Sequence, residues 1–181
     1  TTANQGTTQG WLYDVNVYPK NGVATIKKTV TSQPADGLGL GSIVSFPITT
    51  DVPQLAPGVS FDHYWVMDPL DSRLTNPTLT VTLDGNPVGS TYYTTNTSNG
   101  YAWVSFTNAG LVWLQSQGGK QLVTTVSATV NSLGDGMIKN TGYLDVSTIP
   151  PNTPPTTPPT PPTTPPTTPP GTPSNEVTQN W

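Results

Sequence analysis

The sequence predicts an all-β fold, and three observations support this. Short stretches alternate apolar and polar residues with the period of two expected of strands. Turn residues such as Asp84-Gly85-Asn86-Pro87 separate these stretches at intervals of about ten residues. Charged residues make up only 9% of the chain, so uncharged polar residues, many of them threonines, must form much of the surface, which suits strands. Seven or eight short strands in about 130 residues are typical of an immunoglobulin-like antiparallel β-sandwich.

The individual elements follow from these alternations. A short helix is predicted over 107–117, where helix-like apolar spacing follows Thr107, a plausible N-cap. The predicted strands are 11–18, 23–31, 42–49, 60–68, 78–83, 101–107, 121–130 and 137–146.

The proline distribution divides the chain. Thirteen of its 21 prolines fall between Pro150 and Pro173, where Pro-Pro-Thr-Thr repeats favour extended polyproline II and predict a semi-rigid spacer of about 70 Å. The core therefore lies before this tail. The expected segments are an N-terminal tail or the end of a preceding domain (1–10), a motif segment (11–22), a β-sandwich domain (23–149), a Pro/Thr-rich linker (150–173) and the start of a following domain (174–181).

Composition also excludes several function classes. The net charge is −4 and no basic cluster occurs, which argues against nucleic acid and anionic membranes as partners. The chain has no cysteines, and Asp135 between two glycines provides far fewer oxygens than calcium needs. We therefore expect no metal and no cofactor. An extracellular protein of this kind would need something other than disulfides to resist unfolding.

Three polar residues share strand faces with apolar ones. Lys28 shares a face with Ile26 and Val30, Asp68 closes the apolar run Tyr64-Trp65-Val66-Met67, and Asn140 alternates with Ile138 and Leu144. Pattern alone leaves an alternative for two of them: Lys28 could reach solvent at the edge of the sandwich, and a strand-end acid such as Asp68 is usually solvated.

These residue types suit one reaction if all three are buried. A desolvated lysine loses its proton and a desolvated carboxylic acid keeps its own. The acid can then polarise the Asn carboxamide while the amine attacks it, releasing ammonia and leaving an isopeptide bond. Such a reaction occurs once per chain, so the protein is not expected to be a turnover enzyme.

One segment resembles a known family. Trp11-Leu12-Tyr13-Asp14-Val15-Asn16-Val17-Tyr18-Pro19-Lys20-Asn21 is similar to the pilin motif of shaft pilins that sortases assemble in Gram-positive bacteria. Later stretches resemble the middle, collagen-adhesin-like domain of those pilins. These are Ile26-Lys27-Lys28-Thr29-Val30, Asp51-Val52-Pro53, Asp68-Pro69-Leu70-Asp71-Ser72-Arg73-Leu74 and Lys139-Asn140-Thr141-Gly142.

The resemblance implies how subunits would be joined. The lysine matching Lys20 attacks the thioester between a class C sortase and the sorting-motif threonine of the next subunit. The implied partners are the sortase and neighbouring pilin subunits. The implied location is an extracellular, cell-surface pilus, anchored to the cell wall in the full-length protein.

The resemblance also implies an internal Lys–Asn bond promoted by an acid, on Lys28, Asn140 and Asp68. The strand facing leaves alternatives open. The second choices are Lys27 as donor, Asp71 as acid and Asn131 as acceptor.

Two other functions compete with a pilus subunit. The first is a carbohydrate-binding or adhesive module on a Pro/Thr linker, with exposed aromatics stacking on sugars. Its candidate residues are Trp65, Trp103, Trp113, Tyr92, Tyr93 and Tyr101. The second, a hydrolytic enzyme, is weaker, because His63 has no evident serine partner and Asp68 and Asp71 are poorly placed as a carboxylate pair.

Overall fold

The structure is a computed structural model that describes residues 25–30, 39–135, 137–153, 157–166 and 170–180. The predicted first strand, 11–18, and Lys20 lie outside the described residues. Two five-stranded antiparallel sheets and one two-stranded ribbon make up the described β-structure. The all-β, immunoglobulin-like prediction is confirmed.

The strands fall into three groups. The strands of the first sheet, in their order across it, are β1 (Ile26–Lys28), β2 (Ile43–Asp51), β8 (Gln121–Val130), β4 (Leu74–Leu83) and β5 (Asn86–Pro87). The strands of the second sheet, in their order across it, are β11 (Thr172–Pro173), β10 (Tyr143–Ile149), β3 (Ser60–Pro69), β7 (Tyr101–Phe106) and β6 (Tyr93–Asn96). The ribbon pairs β12 (Val177–Asn180) with β9 (Met137–Asn140).

The main core lies between the two sheets. Strands β2 and β8 bury every second residue, as the period-two alternation predicts. Phe61, Tyr64 and Val66 of β3 belong to the same core. One polar pair lies within it: the hydroxyls of Thr50 and Tyr64 are 2.7 Å apart. Buried side chains of this size each contribute about 1.5–3 kcal/mol, so the core supplies most of the fold's stability.

One helix, α1 (Asn108–Gln115), occurs where the sequence predicts it. The Thr107 side chain accepts a hydrogen bond from the backbone N–H of Gly110, as expected of an N-cap. Leu111 and Leu114 are its large buried side chains. The described part of the chain contains no helix with the length and apolar character needed to cross a bilayer.

Three predicted strands have clearly different bounds in the structure. Of the strand predicted over 23–31, only Ile26–Lys28 is a strand among the described residues 25–30. The strand predicted over 78–83 begins at Leu74, because it continues through an irregularity between Thr75 and Thr78 at Asn76, whose φ is 51°. The strand predicted over 137–146 divides into β9 and β10, which pair with different neighbours. Between them Gly142 passes so close to β2 that an added Cβ would lie 3.0 Å from Ile48 Cδ1.

The C-terminal segments also differ from their predicted roles. Described parts of the 150–173 linker lie against the second sheet, where Trp65 and Trp103 bind carbonyls of the segment, instead of projecting as a spacer. Residues 174–180, expected to begin a following domain, contribute β12 to this one. The reason is that polyproline II leaves its carbonyls free for donors nearby, and a short polar strand can pair with any open edge.

Candidate functional site

Lys28 is buried because of its place on an edge strand. It shares the inner face of β1 with Ile26, lies opposite Ile48 of β2 and is only 1% exposed. Its Nζ lies 5.0 Å from the centre of the Phe46 ring. The Asn175 side chain closes the open edge of the strand: it accepts from the backbone N–H of Lys28 and donates to its carbonyl, both at 3.0 Å. Lys28 is thus covered on its strand's free side.

Asp68 faces Lys28 from the second sheet. It lies near the end of β3, opposite Ala102 of β7, and is 1% exposed. Its Oδ2 lies 2.7 Å from Nζ of Lys28. Its Oδ1 has no hydrogen-bond partner among the described residues.

Asn140 completes the site from the ribbon. It ends β9, lies opposite Val177 of β12 and is 2% exposed. Its Nδ2 donates to the Pro69 carbonyl at 3.4 Å, whereas its Oδ1 has no partner within the described ranges. The three polar residues therefore come from three different sheets and meet in one buried site.

Burial acts on both ionisable groups. It lowers the pKa of the Lys28 ammonium, opposed by the charge and hydrogen bond of Asp68. It raises the pKa of the Asp68 carboxyl, opposed by Lys28 and by a contact with Asn140. Both directions favour the neutral pair, an amine next to a carboxylic acid, over two buried charges.

The second choices lie elsewhere. Lys27 is exposed on the opposite face of β1, and Asn131 is exposed after β8. Asp71 is bound through both carboxylate oxygens by Arg73, which lowers the pKa of its carboxyl. The structure does not bring these three together.

Sequence reasoning missed the residues that cover the site. Asn175 is 147 positions from Lys28, and Ser174 hydrogen-bonds the backbone N–H of Gly142 at 2.9 Å. Both lie beyond the proline-rich stretch. No spacing in the sequence signals contacts that depend on the path of that stretch.

The aromatic residues do not form an exposed platform for sugars. Tyr101 is fully buried and Trp103 is 6% exposed. Tyr92 and Trp113 stack on one another with ring centres 4.7 Å apart and pack against the core. His63 binds Asp62 and Asp145 in place of a serine, so the described residues show no catalytic triad around it.

Comparison with known proteins supports a fimbrial subunit. The chain is 38% identical over 136 residues to fimbrial subunit type 2 of Actinomyces naeslundii, which covers 74% of this chain and 26% of that protein. The chain is therefore similar in sequence to fimbrial subunits of Actinomyces. It spans about a quarter of the length of that fimbrial subunit.

Solved fimbrial structures have the same fold. The Actinomyces fimbrial adhesin FimA superposes with a TM-score of 0.75 at 32% identity, over 86% of this chain and 56% of that one. The major pilin SpaA of Corynebacterium diphtheriae superposes with a TM-score of 0.64 at 23% identity, over 86% of this chain and 38% of that one. No family model matches the chain. The resemblance to shaft pilins is confirmed.

Proposed function

We propose that this chain is part of a cell-surface fimbrial shaft subunit that forms an internal Lys28–Asn140 amide bond without an enzyme. The observation that carries the proposal is the 2.7 Å contact between Lys28 Nζ and Asp68 Oδ2 in a buried site that also holds Asn140. The fold neighbour SpaA is described as having stabilising isopeptide bonds, which agrees with this proposal.

The unpaired oxygens support an acid role for Asp68. Oδ1 of Asp68 and Oδ1 of Asn140 are both acceptors without a partner among the described residues. When the two oxygens approach one another in the reaction, they can pair only if one of them carries a proton. A neutral Asp68 provides that proton. Transfer of the proton from the Lys28 ammonium to the Asp68 carboxylate would produce both the acid and the amine nucleophile.

The reaction balances within these three side chains. The Lys28 amine attacks Cγ of Asn140 while protonated Asp68 donates a hydrogen bond to the amide oxygen and stabilises the charge that develops there. The Cγ–Nδ2 bond then breaks, and ammonia leaves with a proton taken from Nζ. Asp68 ends as it began, and one ammonia is lost per chain in a single turnover.

The fold makes this slow reaction feasible. Reactants fixed side by side reach effective molarities of about 10⁵ M or more, so positioning replaces a dedicated enzyme. The product ties β1 of the first sheet to β9 of the ribbon and carries tension through covalent bonds. In a chain without cysteines, it stabilises as a disulfide would.

The linkage between subunits is the second part of the proposal. Lys20, within the pilin-like motif, attacks the thioester that a class C sortase forms with the sorting-motif threonine of the next subunit. An amide joins the two subunits and the sortase thiol is released. Lys20 lies outside the described residues, so the motif alone supports this step.

A tryptic digest tests the internal bond. The chain has only six lysines and arginines, so trypsin gives a simple map. The proposed bond blocks cleavage after Lys28 and joins peptide 28–73 to peptide 140–181 as one branched product. In Asp68→Asn, cleavage after Lys28 should be restored, so that peptide 29–73 and peptide 140–181 appear separately. Separate peptides from the parent chain would refute the bond.

An assembly reaction tests the linkage. The full-length subunit and a class C sortase should give ladders of covalent polymer on denaturing gels. Lys20→Ala should abolish the ladder, whereas Lys27→Ala, which removes an exposed lysine nearby, should leave it unchanged. Polymer from the Lys20→Ala subunit would exclude Lys20 as the acceptor.

A further inference from the structure

The second sheet carries an aromatic surface on the side away from the main core. Met67, Tyr101 and Trp103 form a separate buried cluster, with Trp65 and Tyr143 packed against it. We call these five residues the aromatic face. Neither the internal amide nor the Lys20 linkage uses it.

The chain's own proline-rich segment lies on this face. The indole N–H of Trp65 donates to the Pro159 carbonyl at 3.2 Å, and that of Trp103 donates to the Pro162 carbonyl at 3.1 Å. Nearby, the Asn99 side chain donates to the Thr163 carbonyl at 3.2 Å. Between the two indole contacts, Pro161 is buried although its neighbours in the segment are exposed.

The spacing of these contacts fits polyproline II. That helix has three residues per turn, so the carbonyls of residues 159 and 162 point to the same side. It makes no internal hydrogen bonds, which leaves those carbonyls free for the two indoles. Aromatic grooves that bind PxxP segments use the same chemistry: a preformed extended ligand, proline rings against aromatics and donors to its carbonyls.

Residues 170–175, beyond the docked segment, cover the cross-link site. Gly171, with φ of 90°, turns the chain so close to Leu144 that an added Cβ would clash with the Leu144 carbonyl oxygen. Strand β11 then pairs with β10, and Asn175 reaches both backbone groups of Lys28. The path of the tail thus connects the aromatic face to Lys28.

We propose that the aromatic face is a polyproline-II receptor for residues 157–166 of the same chain, with Pro161 as its anchor, and that docking there holds the C-terminal strand over Lys28. The segment acts as a clasp within one molecule. Its tether is short, because the tail starts after Ile149, which lies opposite Ser60 on the strand that carries Trp65, and only nine residues separate Ile149 from Pro159. A short tether gives the chain's own segment a millimolar effective concentration, so it outcompetes a second copy in dilute solution.

Matched proline substitutions in the full chain test the clasp. Pro161→Thr removes the buried ring, while Pro162→Thr makes the same change at an exposed neighbour and keeps the bonded carbonyl. Thr is already the tail's other common residue, so both variants change chain stiffness equally. The readout is hydrogen exchange of the indole N–H groups of Trp65 and Trp103 by NMR, assigned with single Trp→Phe variants.

The clasp predicts slow indole exchange in the parent and in Pro162→Thr, and loss of that protection in Pro161→Thr. Pro161→Thr should also speed exchange of the Lys28 backbone N–H, which Asn175 binds, while β2 and β8 amides stay protected. Equal indole exchange rates in Pro161→Thr and Pro162→Thr would refute Pro161 as the anchor. An unchanged Lys28 amide would overturn the link to the site, and a dimeric parent in dilute solution would overturn the intramolecular clasp.

Discussion

Nζ of Lys28 and Oδ2 of Asp68 lie 2.7 Å apart where neither residue is more than 1% exposed. An isolated ion pair gains little from such burial, because desolvation offsets the attraction between the charges. With Asn140 beside the pair, the same arrangement provides an amine, an acid and an electrophilic carboxamide. The close approach of Lys28 and Asp68 is therefore better explained by a role in amide-bond formation than by a contribution of the ion pair to folding stability.

Replacing the acid should stop the reaction without removing either reactant. Asp68→Asn keeps a polar side chain of the same size but cannot supply the proton that stabilises the attacked carbonyl. We expect bond formation to slow by about 10²-fold or more, on the scale of general acid catalysis. A time course of intact mass after expression measures it. Bond formation at the parental rate would exclude Asp68 as the acid.

Removing the lysine should cost substantial stability. A cross-link from residue 28 to residue 140 restricts the unfolded chain by about 4–5 kcal/mol. We expect Lys28→Ala to lower the free energy of unfolding by at least this amount, measured by denaturant unfolding. Lys27→Ala, which changes an exposed lysine on the same strand, should shift it by less than about 0.5 kcal/mol. Similar values for the two variants would contradict a cross-link.

Asn175 should matter although it takes no part in the chemistry. Asn175→Ala leaves two backbone groups of Lys28 without their side-chain partner, at a cost of about 1–3 kcal/mol. It also opens the site to water, which favours the charged, unreactive lysine. We expect slower bond formation and faster exchange of the Lys28 amide. Glu176→Ala, at an exposed neighbour, is the control and should match the parent.

His63 should make stability depend on pH. Burial lowers the pKa of His63, but hydrogen bonds to Asp145 and Asp62 outweigh it and hold its pKa above the usual value. A raised pKa in the folded state means that this stabilisation is complete below about pH 6.5 and is lost as pH rises through the folded-state pKa. His63→Gln should therefore destabilise the protein more at pH 5.5 than at pH 8, as thermal unfolding would show. An equal effect at both pH values would contradict this.

The sequence predicted the strands that alternate cleanly. β8 occurs over Gln121–Val130 as predicted, because its alternation matches burial along its full length. The trio Lys28, Asp68 and Asn140 could be suspected for the same reason: each interrupts an apolar face. Alternation indicates which face of the strand a residue occupies. It therefore places Lys27 on the face opposite Lys28, where the structure has it.

What the sequence could not predict depends on long-range pairing. The division between β9 and β10 follows from two different partners, one of which, β12, lies beyond the proline-rich segment. Composition predicts that this segment forms no core of its own. It could not reveal that Trp65 and Trp103 would bind its carbonyls, since those contacts join residues 94 and 59 positions apart.

The most direct test of the internal bond is the intact mass of the purified parent chain beside its Lys28→Ala, Asn140→Ala and Lys27→Ala variants. We expect the parent and Lys27→Ala each to be about 17 Da lighter than their sequences require, the mass of one ammonia. Lys28→Ala and Asn140→Ala should have their full calculated masses. A parent of full mass would contradict the Lys28–Asn140 bond, and a deficit that persists in Lys28→Ala would assign the lost ammonia to other residues.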